Sequence, residues 1–84
     1  MKQFHAEITI TLRKGILDVQ GKAVEHALQS IDFPMMSNVR IGKFVTLDID
    51  AESAEAANSL AVDASKKLIA NPIIEDFIIH IIEK

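Results

Sequence analysis

Cysteine, tryptophan and tyrosine are absent from this chain, and glycine and proline are scarce, at three and two residues. Without thiols there is no disulfide framework and no thiolate metal centre, which suits a reducing, cytoplasmic setting. A basic excess is missing too. The net charge is −3 and the pI about 5.5, which argues against a nucleic-acid partner. No apolar run approaches the length that spans a bilayer, so no membrane association is expected. The opening MKQFHAEITITLRK alternates polar and apolar residues and lacks the apolar core of a signal peptide. Also missing are a phosphate-binding P-loop, a G-x-G-x-x-G turn and a nucleophile elbow.

What is abundant is aliphatic. Of the 84 residues 49% are hydrophobic, which predicts one domain over residues 1–84. A chain this short buries only roughly 60–65% of its unfolded surface. Apolar surface should therefore be left over for a partner.

Residues 3–13 alternate, with Phe4, Ala6, Ile8, Ile10 and Leu12 on one face, the pattern of a half-buried strand. Arg13-Lys14-Gly15 turns the chain. Asp18 can cap a helix beginning at Val19, whose Val24, Ala27, Leu28 and Ile31 form a stripe suited to lie on a sheet. Gly21 costs about 1 kcal/mol against alanine within a helix, and a close backbone approach is one explanation. Phe33-Pro34 stops the helix.

From Ser37 to Asp50 the pattern is extended, with Val39, Ile41, Val45, Leu47 and Ile49 sharing parity. A bulged three-residue connection or one strand bent at Gly42 preserves that parity, whereas a two-residue hairpin flips it. Ser53 can cap a second helix with Ala57, Leu60, Ala61, Ala64 and Leu68 inward, ended by Asn71-Pro72. The last strand, Ile73 to Ile82, is apolar on both faces: Phe77, Ile79 and Ile81 on one, Ile74, Ile78 and Ile82 on the other. The expected architecture is α+β, a ferredoxin-like two-layer β-α-β-β-α-β fold. Two helices cover one face of a mainly antiparallel sheet, and oligomerisation completes or covers the other. Ile74, Ile78, His80 and Ile82 are the candidate oligomer-interface residues.

Candidate chemistry is sparse. His5, Glu7 and His80 would share the outer face, but their spacing is not that of a zinc motif, and no metal site is assigned. Glu75 and Asp76, adjacent on a strand, point to opposite faces and make a poor acid/base pair. Met35-Met36 reads as loop packing. The cationic turns carry Arg13, Lys14, Arg40 and Lys43. No catalytic and no cofactor-binding residue is assigned.

Three stretches, L-x-K-G-I-L-D-x-Q-G-K-A-V (residues 12–24), V-R-I-G-K (39–43) and L-I-A-N-P-I-I-E-D-F (68–77), together resemble the PurS family, the small subunit of phosphoribosylformylglycinamidine (FGAM) synthase. The chain departs from the family at Asp18-Val19, where Asp-Pro is usual, and at Ile31-Asp32-Phe33, where a glycine is usual. The resemblance implies a non-catalytic subunit of an ATP- and glutamine-dependent C–N ligase of purine biosynthesis. Such a subunit bridges a PurQ-like glutaminase and a PurL-like synthetase, assists ammonia transfer, and forms homodimers or homotetramers. ATP, Mg and glutamine would be used by the partners, with no cofactor in this chain. Because the family-like residues cluster at strand ends and the helix start, where a core role is least needed, the candidate partner-facing residues are Arg13, Lys14, Asp18, Gln20, Gly21, Arg40, Gly42 and Lys43. The alternative is a stand-alone ACT-like small-molecule-binding module; an acylphosphatase-like enzyme fits less well, because Arg13-Lys14-Gly15 is too short a phosphate cradle.

Overall fold

The computed structural model describes all 84 residues. Its elements are β1 (Lys2–Leu12), α1 (Val19–Ser30), β2 (Lys43–Ala51), α2 (Ala54–Ala64), a π-helical turn (Ser65–Ile69) and β3 (Glu75–Glu83). β1 lies between β2 and β3 and is antiparallel to both. The fold is α+β and ferredoxin-like, with three strands in its sheet.

Alternation along β1 puts Phe4, Ala6, Ile8 and Ile10 at 1% exposure or less. Two small clusters form over this strand. Phe4 packs with Ala51 and Ala57, joined by Ile49 and Ile81. Ile8 and Ile10 pack with Ala70, joined by Val45, Leu47, Ile69, Phe77 and Ile79. Val45, Leu47 and Ile49 therefore share the inner face, as their parity requires.

Ser53 caps α2, its Oγ accepting from the Ala56 N–H at 3.1 Å. The buried line of α2 is Ala57 and Ala61, continued by Ser65, all small side chains that let the helix approach the sheet closely. Leu60 and Leu68, expected in that line, are exposed. For Leu68 the cause is the π turn: the Ala70 N–H donates to the Ser65 carbonyl, five residues back, at 2.9 Å. The extra residue shifts the phase, and Ile69 reaches the core instead. At the same point the Ser65 hydroxyl is buried without a hydrogen-bond partner.

Helix α1 differs from expectation. Only α2 lies over the strands, and α1 makes no comparable packing with any of them. The chain is correspondingly elongated, with a radius of gyration of 16.5 Å and a long axis of 52 Å, against about 12 Å radius for a compact chain of this length. The reason is the helix's buried face, which consists of Gly21 and Glu25 and is unsuited to an apolar sheet. Val24 and Ile31, from the expected apolar stripe, stay exposed. What α1 packs against is the segment that follows it.

That segment is the second difference. Residues 37–42 join no strand, and β2 begins only at Lys43. Asn38 sits there in the left-handed region, φ 57°, which asparagine tolerates better than most residues. At Ile31-Asp32-Phe33 the helix closes without a left-handed residue: the Ile31 and Phe33 N–H groups both donate to the Leu28 carbonyl. The third difference concerns Ile74. β3 starts at Glu75 because Ile74 and Glu75 both donate to the Asn71 carbonyl, forming a turn. Ile74 is thus half-buried in that turn, its carbonyl accepting from the Arg13 N–H at 2.9 Å, and not on the outer strand face. No helix is long and apolar enough to cross a membrane.

Candidate partner-binding site

Asp18 organises the end of the sheet from which α1 departs. One carboxylate oxygen caps the helix, accepting from the Gly21 N–H at 2.8 Å. The other accepts from the Ile41 N–H at 2.6 Å. Farther along α1, Glu25 accepts from the Val39 N–H at 3.1 Å and the Gln29 amide donates to the Met36 carbonyl at 2.9 Å. Asp18, Gly21, Glu25 and Gln29 recur about once per turn, every 5.4 Å. Alternate residues of an extended chain recur every 6.7 Å or so, near enough for side chains to bridge. The result is a strap: residues 36–41 run along α1, held by helix side chains where a sheet would use backbone. Gly21 is what lets the strap close, because a Cβ there would collide with the Val39 carbonyl oxygen and lie 2.7 Å from an Asp18 carboxylate oxygen. A close approach thus accounts for its place in the first turn.

The cationic turns fold around this strap. Arg40 donates through Nη1 to the Ile16 carbonyl at 3.1 Å and through Nη2 to the Arg13 carbonyl at 3.0 Å. Arg13 donates to the Pro72 carbonyl and pairs with Asp76 at 3.4 Å. Lys43 pairs with Glu75 at 3.2 Å, whose other oxygen accepts from the Asn71 N–H at 2.7 Å. At Gly42 an added Cβ would lie 2.7 Å from the Ile10 carbonyl oxygen. Asp18, Gln20, Gly42, Lys43 and Glu75 line one cleft of about 160 Å³. Sequence distance had hidden that convergence.

Most residues expected to face a partner therefore hold the chain together. Arg13, Asp18, Gly21, Arg40, Gly42 and Lys43 each have an internal contact, while Lys14 and Gln20 are exposed and make no internal side-chain hydrogen bond or ion pair. Glu25 and Gln29 were not singled out from the sequence, and Glu75 was weighed only as half of an acid/base pair. The available signal was the polar stripe Asp18-Gly21-Glu25-Gln29 on one side of a helix otherwise judged by its aliphatic residues.

The electrostatics follow the same contacts. The Ile41 and then the Gly21 N–H hold the Asp18 carboxyl below its ordinary range, with Arg40 adding to them and burial opposing. Glu75 is lowered chiefly by the Asn71 N–H, with Lys43 helping and burial opposing. Folded-state values below the unfolded ones, about 3.9 and 4.3, mean that this stabilisation is present in full above those values. It is lost as pH falls through the lowered ones. Asp18→Asn leaves one acceptor where two N–H groups converge, and turns an amide donor toward one of them. The variant should melt lower than the parent at pH 7, and its melting temperature should fall less between pH 4 and pH 2. Parallel acid limbs in the two melting-temperature profiles would count against the strap.

On the opposite face of the sheet, His5 Nδ1 lies 2.9 Å from Asp48, and Lys84 donates to the same carboxylate at 3.1 Å. These contacts lower the Asp48 pKa, His5 first and Lys84 second. His80 stands across from Glu7, and no group of three His, Asp or Glu side chains is placed to hold a metal ion. Phe44, Thr9 and Ile78 form one cross-strand row, with Phe44 and Ile78 exposed. Ile82, also exposed, stands across from His5.

A family model for PurS, described as phosphoribosylformylglycinamidine (FGAM) synthase, matches residues 5–83. The chain belongs to the PurS family. Phosphoribosylformylglycinamidine synthase subunit PurS of Bacillus subtilis is 36% identical over 74 residues, covering 88% of this chain and 87% of its own. Its Synechocystis counterpart is 35% identical over 78 residues, or 93% and 78% of the two chains. Among solved structures, a chain of PurLQS from Thermotoga maritima matches over the full length of both chains, with a TM-score of 0.88 and 26% identity. Bacillus subtilis PurS matches at a TM-score of 0.82 and 33% identity, covering 93% of this chain and 96% of its own. The elongated PurS architecture is thus shared well beyond the sheet.

Proposed function

We propose that this chain is the small, non-catalytic subunit of an FGAM synthase, a ligase complex of purine biosynthesis, and that it bridges a PurL-like synthetase and a PurQ-like glutaminase. The carrying observation is the end-to-end structural match to a chain of the Thermotoga maritima PurLQS assembly. The site is consistent with bridging. Its carboxylates accept from backbone N–H groups and a lysine, so they act as structural ties in this reading. ATP, Mg and glutamine belong to the partners in this reading, and the working compartment is the cytoplasm. The chain contributes geometry: docking two active sites together raises the effective concentration of the ammonia passed between them. The ACT-like reading has no comparable support. Lys14, Gln20 and the rim of the strap are the partner-facing surface, with Arg13, Asp18, Gly21, Arg40, Gly42 and Lys43 shaping it from within.

Sedimentation of the chain with PurL-like and PurQ-like subunits, in ATP, Mg and glutamine, tests the assignment. A three-component species is expected, and Lys14→Glu should weaken it several-fold while leaving the melting temperature unchanged. Independent sedimentation of all three would overturn the reading.

A further inference from the structure

The π turn that ends α2 carries a cost. The Ser65 hydroxyl at its start is buried without a hydrogen-bond partner, an arrangement that native structures largely avoid. The extra residue also turns Leu68 outward, to 87% exposure. Turns of this kind are frequent at functional sites. The segment that follows presents a second large aliphatic side chain, Ile73, at 81% exposure. Its backbone is held on every side. The Ile73 N–H donates to the Asn71 side-chain oxygen at 3.2 Å. Arg13 binds the carbonyls on either side of it, Pro72 through the guanidinium and Ile74 through the backbone N–H.

The same end of the sheet gathers cations. Arg13, Arg40 and Lys43 are engaged by partners within the chain. Lys14, Lys66 and Lys67 are exposed and make no ion pair or side-chain hydrogen bond. Even Asp63, one turn before Lys66 and Lys67, pairs with neither. Lys14 follows Arg13 directly, so the grip of Arg13 on the turn brings it to the neighbourhood of Ile73. A chain of net charge −3 thus leaves unpaired positive charge around two exposed aliphatic side chains.

We propose that Leu68 and Ile73 are the apolar anchors, and Lys14, Lys66 and Lys67 the cationic rim, of a docking surface. It fits an apolar pocket edged by carboxylates on one of the two synthase partners. An apolar centre inside a polar rim is the anatomy of a protein–protein interface. Rim charges steer the encounter and select the partner. Because the backbone at Ile73 is already fixed, little ordering remains to oppose docking. A polyanion such as nucleic acid would use the lysines but bury neither Leu68 nor Ile73. The inference rests on the bridging reading, and adds to it the π turn and the chemistry of the surface it meets.

The test titrates the chain into the mixed PurL-like and PurQ-like subunits with ATP, Mg and glutamine, at about 0.05 M and 0.5 M salt. Leu68→Ser should weaken assembly about tenfold at both salts. Lys66→Gln combined with Lys67→Gln should weaken it about tenfold at low salt and remove most of the difference between the two salts. Lys66→Arg with Lys67→Arg should assemble like the parent. All these side chains lie in solvent, so the melting temperature and self-association of the chain alone should stay close to the parent's. Unchanged assembly of both variants would overturn the docking surface while leaving the bridging reading intact. So would a Leu68→Ser variant altered only in self-association. Loss in the lysine variant alone would mean charge attraction without a pocket, and would likewise overturn it. Failure of the parent itself to assemble would overturn both readings.

Discussion

Replacing Gly21 with alanine will destabilise the chain by about 2 kcal/mol, although alanine is the better helix former by about 1 kcal/mol. The methyl group would enter the space of the Val39 carbonyl oxygen and crowd the Asp18 carboxylate. Overpacking costs roughly 1–3 kcal/mol. Here the obstacle is backbone that cannot rotate away, so the upper end applies and outweighs the helix gain. To admit the methyl the strap must lift, releasing the Ile41 and Val39 N–H groups from their carboxylates. At about 4–8 °C per kcal/mol for a domain of this size, the melting temperature should drop by roughly 10 °C. Hydrogen exchange should show Val39 and Ile41 losing protection first. Gly15→Ala is the matched control, because a Cβ there meets nothing within 4 Å. A Gly21→Ala variant as stable as that control would mean that the strap does not constrain the helix.

Phe4→Ala will have a larger effect, about 4 kcal/mol, within the 3–5 kcal/mol typical of such truncations. Phe4 is 1% exposed and anchors the cluster containing Ala51 and Ala57. The buried residues beside it, Ala51 and Ala57, are too short to collapse into the space left behind. A chain of this length has about 4–12 kcal/mol of stability in total, so the variant should be partly unfolded at 25 °C when dilute. Self-association of the native state would restore structure as concentration rises. Chemical denaturation at two protein concentrations measures both effects. A loss below about 1 kcal/mol would mean that the cluster is not a core.

These two sites also separate what was legible in the sequence from what was not. The β1 face was legible because strand alternation has an unambiguous period, and Phe4, Ile8 and Ile10 are buried as it requires. The helix starts at Asp18 and Ser53 were legible because capping is local, and both side chains accept the expected N–H bonds. The strap was not. Val39 and Ile41 alternate like strand residues, and nothing local reveals that their N–H groups end on carboxylates 14 and 23 residues upstream. Extended backbone and sheet membership share one pattern; only the partner differs.

The placement of α1 failed for a related reason. Its aliphatic residues suggested a sheet-facing stripe, while its buried face is the polar line through Gly21 and Glu25. The π turn left no trace in Ser65-Lys66-Lys67-Leu68-Ile69, so the helical count put Leu68 inward where Ile69 belongs. At the candidate site, the sequence grouped the cations but not their tasks. Arg40 holds two carbonyls and Lys43 a buried carboxylate, contacts that depend on three separated turns meeting at one end of the sheet.

In the proposed function this chain joins two active sites and performs no bond chemistry of its own. The most direct measurement compares glutamine-dependent and ammonia-dependent FGAM formation by PurL-like and PurQ-like subunits, with and without the chain. Glutamine-dependent turnover should collapse without the chain while added ammonia sustains much of the rate. Rates from both nitrogen sources that are indifferent to the chain would contradict the proposed function.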